Sequence, residues 1–172
     1  VYTPRICGIC SVTQSVASAR ALADAMGLSM PKNGELCTNL VLASENITDL
    51  ITHFYLFFMP DFARDTYAGA RWFGDIQGRF KATAGSAATQ MLPARADFLH
   101  LMGLMAGKWP HTLSLQPGGV AKAIEPKERM RLLAIVAGFK RFLESTLFGD
   151  SLTTISQLKS EAELWQWYQQ KP

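Results

Sequence analysis

The sequence predicts a mainly α fold, a multi-helical bundle joined by irregular loops. Three observations carry that reading. Apolar residues recur at three-and-four spacing over several long stretches, Gly and Pro punctuate the ends of those stretches, and no internal repeat, low-complexity tract or linker interrupts them. With 172 residues, 48% of them hydrophobic, residues 1–172 suit a single domain with a sizeable core.

The elements follow in order. Residues 10–26 place Val12, Val16, Ala19 and Ala23 on one helical face, with Gly27 as a stop. Pro31 and Asn33-Gly34 mark a turn. A long helix is expected from Glu35 to about Met59, its apolar stripe running through Leu36, Leu40, Ala43, Ile47, Leu50, Ile51, Phe54 and Phe58. Pro60 should end it. Residues 60–88 are rich in glycine and aromatics without a clear period, which suggests an irregular connection with room for short strands. A helix over about 89–105 stops at Gly107, and "KWPHTLSLQPGG" (108–119) reads as a loop. Residues 125–149 are the clearest helix. Pro126 lies in its first turn, and Met130, Leu133, Val136, Ala137 and Leu143 form its inner face. The remainder is short helical or extended segments.

Composition narrows the function classes. The net charge of +3 is spread along the chain, which gives no argument for nucleic acid. "LITHFYLFFMP" is too short to span a bilayer and carries His53, and no secretory pattern opens the chain. Three cysteines without a secreted framework point to reduced thiols in a cytoplasmic setting. The chain opens on Val1 and closes on "WQWYQQKP", which reads as an internal piece of a longer protein.

The chemistry concentrates in "RICGICSVTQ" (5–14), where Cys7 and Cys10 enter a helix. Such a pair can share a metal or form a disulfide, and the helix N-terminus favours thiolate. A thioredoxin-like role would want a βαβ setting, whereas helix follows here. A zinc site needs four ligands, and only Cys37, His53, His100 and His111 remain as candidates, none at zinc-finger spacing. Cys37 and His53 read as core residues, and His100 has no assigned role. Soft thiolates would suit nickel, iron or zinc. Spacing alone leaves these alternatives open.

Three ordered segments then resemble the large subunit of nickel–iron hydrogenases. "RICGIC" resembles the family's R-x-C-G-x-C-x-x-x-H signature. "ENITDLITHFYLFFMPDF" (45–62) resembles its long helix with a His-Phe-Tyr triplet, and "GKWPHTLSLQPGG" (107–119) its G-K-x-P-H segment. The resemblance implies the large-subunit fold and a nickel–iron centre whose iron carries carbonyl and cyanide ligands. Four cysteines would hold it: Cys7 as a terminal nickel ligand, Cys10 bridging nickel and iron, and a second pair that this chain does not contain. It implies heterolytic H2 splitting, with a terminal thiolate such as Cys7, or a base outside this chain, taking the proton. It further implies electron transfer to a small subunit carrying iron–sulfur clusters.

At position 14 the family's histidine is replaced by Gln14, which keeps an N–H donor for the bridging sulfur but takes no proton near neutral pH. "SVTQS" is similar to the hydrogen-sensing, or regulatory, branch. The same likeness implies that Ile9 and Phe57 narrow a gas channel against O2, and that a histidine kinase reads the assembly. Arg5 could place a charge near the site. His111 is expected to serve structure, or else the surroundings of a cluster or partner interface. The competing expectations are a respiratory uptake hydrogenase, a metal-free relative within respiratory complex I, and a zinc-binding interaction module.

Overall fold

The computed structural model describes residues 1–171, and they are mostly helical. A 3₁₀ turn over Thr3–Arg5 leads into α1 (Ser11–Ala25), which buries Val12, Val16 and Ala19 as its spacing requires. Gly27 stops it with φ +64°, a conformation that costs glycine nothing.

Helix α2 (Lys32–His53) starts earlier than the sequence suggests, so Asn33-Gly34 forms its first turn instead of a separate one. The glycine there has a packing reason. A Cβ on Gly34 would stand 3.2 Å from Met30 Cγ and 3.3 Å from Gly119 Cα. Nor does Pro60 end the helical path. A π-helical turn (Phe54–Phe58) passes into α3 (Met59–Phe62), and the Met59 N–H reaches back to the Phe54 carbonyl. That widened turn accommodates the missing proline N–H.

Residues 60–88 contain no strand; a 3₁₀ turn (Asp65–Tyr67) and α4 (Phe73–Phe80) lie there. Tyr67 packs between Phe62 and Trp72, with ring centroids 5.8 and 5.6 Å away. Helix α5 (Ala87–Ala106) ends at Gly107, φ +77°. The strands are instead in the 108–119 region and just beyond it: β1 (Leu115–Gln116) pairs antiparallel with β2 (Gly119–Val120), Leu115 opposite Val120. Pro117 followed by Gly118 at φ +84° is the order a type II turn demands.

Helix α6 (Pro126–Phe142) continues into a π turn (Leu143–Leu147), and α7 (Leu152–Gln157) and α8 (Glu161–Gln169) follow. Asp150 ties α8 down by accepting from Trp167 Nε1 at 3.0 Å and Lys171 Nζ at 2.7 Å. The Lys171 ammonium, then the Trp167 indole, hold the Asp150 carboxyl far below the usual carboxylate range. A depressed carboxyl contributes at neutral pH and loses its effect only as pH falls through its folded-state value, here in strong acid. Asp150→Asn is expected to speed amide exchange in α8 about threefold at neutral pH, since a pair still partly open to solvent contributes little. Unchanged exchange would mean the tie does not hold α8.

Two cores organise the helices. Ile51, Tyr55, Phe80, Met91, Phe98 and Phe139 join α2, α4, α5 and α6. Val12, Val16, Val41, Met102, Met105 and Leu115 join α1, α2, α5 and the hairpin behind the cysteine turn. The buried face of α2 therefore runs through Thr38, Val41, Glu45, Thr48 and Ile51. Of the expected stripe, Leu36, Leu40, Ile47, Leu50 and Phe58 are exposed. Likewise α6 packs through Leu132, Ile135, Phe139 and Phe142, while Met130, Leu133 and Val136 stay exposed. Both helices are apolar on two sides, so periodicity alone does not select the packed one. Leu40 and Ile47 of α2 instead face Leu133 and Val136 of α6 across an open apolar groove of about 770 Å³. His53, expected in the core, is exposed beside Phe57, and Cys37 is half-buried against the second core. No described helix is long and apolar enough to cross a membrane.

Candidate metal centre

Cys7 lies in the short segment between the 3₁₀ turn and α1, and Cys10 is the N-cap of α1. Both thiols are free and half-buried. The Cys10 N–H donates to Cys7 Sγ at 3.3 Å, folding the Gly8-Ile9 bend so that both sulfurs face one place. A hydrogen bond from the Cys10 thiol, then the Cys10 N–H, draws the Cys7 thiol below its ordinary value. Donating to Cys7, together with partial burial, pushes the Cys10 thiol up, and Gln14 partly offsets that rise.

Gln14 is one helical turn beyond Cys10, and its Nε2 donates to Cys10 Sγ at 3.8 Å. That is the placement four-residue spacing requires. Because the thiol of lower pKa carries more thiolate near neutrality, iodoacetamide at pH 7 should label Cys7 at least about threefold faster than Cys10. Gln14→Leu should widen the gap. Equal labelling rates would contradict this polarity.

Arg5 is exposed and its guanidinium donates to the Val1 carbonyl. Ile9 and Phe57 are exposed too, at 56% and 61%. Phe57 stacks on His53 with centroids 6.2 Å apart. His111, at φ +64°, donates through Nδ1–H to the Pro4 carbonyl at 2.7 Å. A Cβ added to Gly8 would meet its ring at 3.9 Å, so the imidazole packs against the cysteine bend. His100 is exposed and donates to the Asp97 carbonyl at 3.2 Å.

Sequence reasoning missed Glu45. Its side chain is 2% exposed and reaches the N-terminus of α1 from α2. It accepts from the backbone N–H of Val12 and of Thr13, both at 2.8 Å, and from the Thr13 hydroxyl at 3.1 Å. The Ser11 hydroxyl at 3.4 Å and Trp109 Nε1 at 3.0 Å complete its partners. Trp109 in turn lies beneath the Arg95 guanidinium, 5.3 Å from the ring centroid. The signal was present: Glu45 follows Val41 and precedes Thr48 at four-and-three spacing, a carboxylate on the buried face.

Residues 1–69 match the family described as nickel-dependent hydrogenase. The chain is 26% identical over 150 residues to the vhc F420-non-reducing hydrogenase of Methanococcus voltae, covering 86% of this chain and 31% of that protein. It is 25% identical over 169 residues to the hydrogenase-2 large chain of Escherichia coli, covering 70% of this chain and 30% of that one. The reduced Ni-Fe-Se hydrogenase of D. vulgaris Hildenborough superposes with a TM-score of 0.69 at 25% identity, over 84% of this chain and 31% of its own. The chain is similar to the nickel-dependent hydrogenases and has the fold of their large subunit. It spans about a third of the length of the relatives it matches.

The cysteine pair fits what this hydrogenase family implies. Two adjacent thiols are the soft donors that nickel and iron accept, and both are free of a disulfide. Among the described residues no group of three or more His, Cys, Asp and Glu side chains gathers to hold a metal. Cys7 and Cys10 are thus two adjacent free thiols, with no third such side chain gathered beside them among the described residues.

Proposed function

We propose that this chain is the N-terminal part of the large subunit of a nickel–iron hydrogenase of the hydrogen-sensing kind. In this reading Cys7 is a terminal nickel ligand and Cys10 a bridging one, with the remaining ligands from a second cysteine pair of the parent protein. When bound, the nickel–iron centre, its iron carrying carbonyl and cyanide, supplies the heterolytic cleavage of H2. The protein holds the sulfurs, hydrogen-bonds them and limits gas access.

The observation that carries the sensing assignment is Gln14 donating to Cys10 Sγ. A histidine at that position could gain or lose a proton near neutrality and so change the charge beside the sulfur. The amide cannot, and it holds the donor fixed. Ile9, within the cysteine bend, and Phe57 are the bulky groups assigned to the gas path. A small subunit with iron–sulfur clusters would take the electrons, and a histidine kinase in the cytoplasm would read the outcome.

A respiratory uptake enzyme is the second reading, favoured by relatives named as a hydrogenase-2 large chain and an uptake hydrogenase large subunit. The test is H2-dependent dye reduction by the full-length large subunit with its small subunit, before and after air exposure. Slow activity that survives air, and whose survival is lost on Ile9→Val with Phe57→Leu, is the sensing result. Fast activity abolished by air would assign the uptake enzyme instead.

A further inference from the structure

We propose that Glu45 is the positioning residue of the Cys7–Cys10 pair, a tertiary cap that fixes where the cysteine bend sits against α2. The first N–H groups of a helix have no partner within it. They are ordinarily met by a Ser, Thr, Asp or Asn oxygen at the N-cap. Here the N-cap is Cys10, which makes no side-chain capping hydrogen bond. A residue whose sulfur serves a metal cannot also carry an oxygen cap, so the cap must come from elsewhere in the chain. Glu45 supplies it from 33 residues away by accepting from the Val12 N–H.

The carboxylate also suits the site electrostatically. A buried charge is costly unless hydrogen-bonded, and this one accepts from five donor groups on two segments. It also faces the positive end of α1. Its reach sets the distance from α2 to α1, and the Trp109 indole and the Ser11 hydroxyl bring the 107–111 loop to the same point. Ser11 Oγ in turn accepts the His111 N–H at 3.2 Å. Cys10 is placed by α1, and Cys7 follows through its hydrogen bond from the Cys10 N–H.

The inference rests on the reading of the two thiols as ligands, but its test does not need the metal. Phenylarsine oxide binds tightly only where two thiols are held close together, so its affinity for the metal-free chain reports the geometry of the pair. Cys37 alkylation and the thermal melt report general loosening. Glu45→Gln keeps the reach but turns an N–H₂ toward an N–H, and Glu45→Asp keeps the charge but is too short to meet both backbone donors. Each is expected to weaken arsenical binding about tenfold or more, the effect of losing a group that orients a ligand, with Cys37 alkylation unchanged within about twofold. Thr48→Val, which removes a buried hydroxyl three residues along the same face, should lower the melt without weakening arsenical binding.

Wild-type affinity in both Glu45 variants, or losses that track the melt and Cys37 alkylation as in Thr48→Val, would overturn the proposal. If a Glu45 variant does not fold, Trp109→Phe, which removes one donor to the carboxylate, should weaken the arsenical about twofold to threefold, and no weakening there overturns it equally. A positive arsenical result with zinc in place of nickel in the parent protein would sink the hydrogenase reading and leave the positioning role intact.

Discussion

Replacing Cys10 with serine in the full-length large subunit is expected to empty the nickel site and lower H2-dependent dye reduction by more than about 100-fold. Losing a group that merely orients a ligand already costs roughly 10- to 100-fold, and on the proposed assignment Cys10 is itself a ligand. Serine is close in shape but presents a hard hydroxyl that stays protonated, whereas nickel and iron prefer thiolate. The Gln14 amide would then have no sulfur to meet at 3.8 Å. Cys37→Ser is the control. Cys37 lies half-buried against the second core, and its replacement should leave the metal content unchanged. Nickel retained in Cys10→Ser, or lost in Cys37→Ser, would assign the wrong thiol.

Phe139→Ala carries the largest expected effect on stability, about 3–5 kcal/mol, read as the shift in the denaturant midpoint. Phe139 is 7% exposed, and its ring stacks on Phe98 with centroids 4.2 Å apart, so it joins α6 to α5 at the first core. A loss of that size is a large share of the roughly 5–15 kcal/mol that holds a typical domain folded. Met130→Ala, on the face that periodicity favours, should change stability by no more than about 0.5 kcal/mol because Met130 is 67% exposed. The reverse ranking would show that α6 packs through the Met130 face.

That comparison also marks where the sequence was legible. The helix ends at Gly27 and Gly107 were readable because a positive φ is a local requirement that only glycine meets cheaply. Gln14 on the Cys10 face was readable because four-residue spacing in a helix fixes it. The packed sides of α2 and α6 were not. Each helix carries apolar residues on two faces, and the partner that chooses between them is distant in sequence. The same reason hid Glu45, whose donors on α1 are 32 to 34 residues away. The helical turn past Pro60 was hidden because its backbone accommodation depends on the π turn before it.

Cys7 and Cys10 are proposed to serve a nickel–iron centre. The direct measurement is nickel, iron and zinc content of the full-length large subunit purified with its small subunit. Nickel in equal amount with the large subunit, together with iron and abolished in Cys7→Ser, is the predicted result. Zinc without nickel, held by the same two thiols, would contradict it.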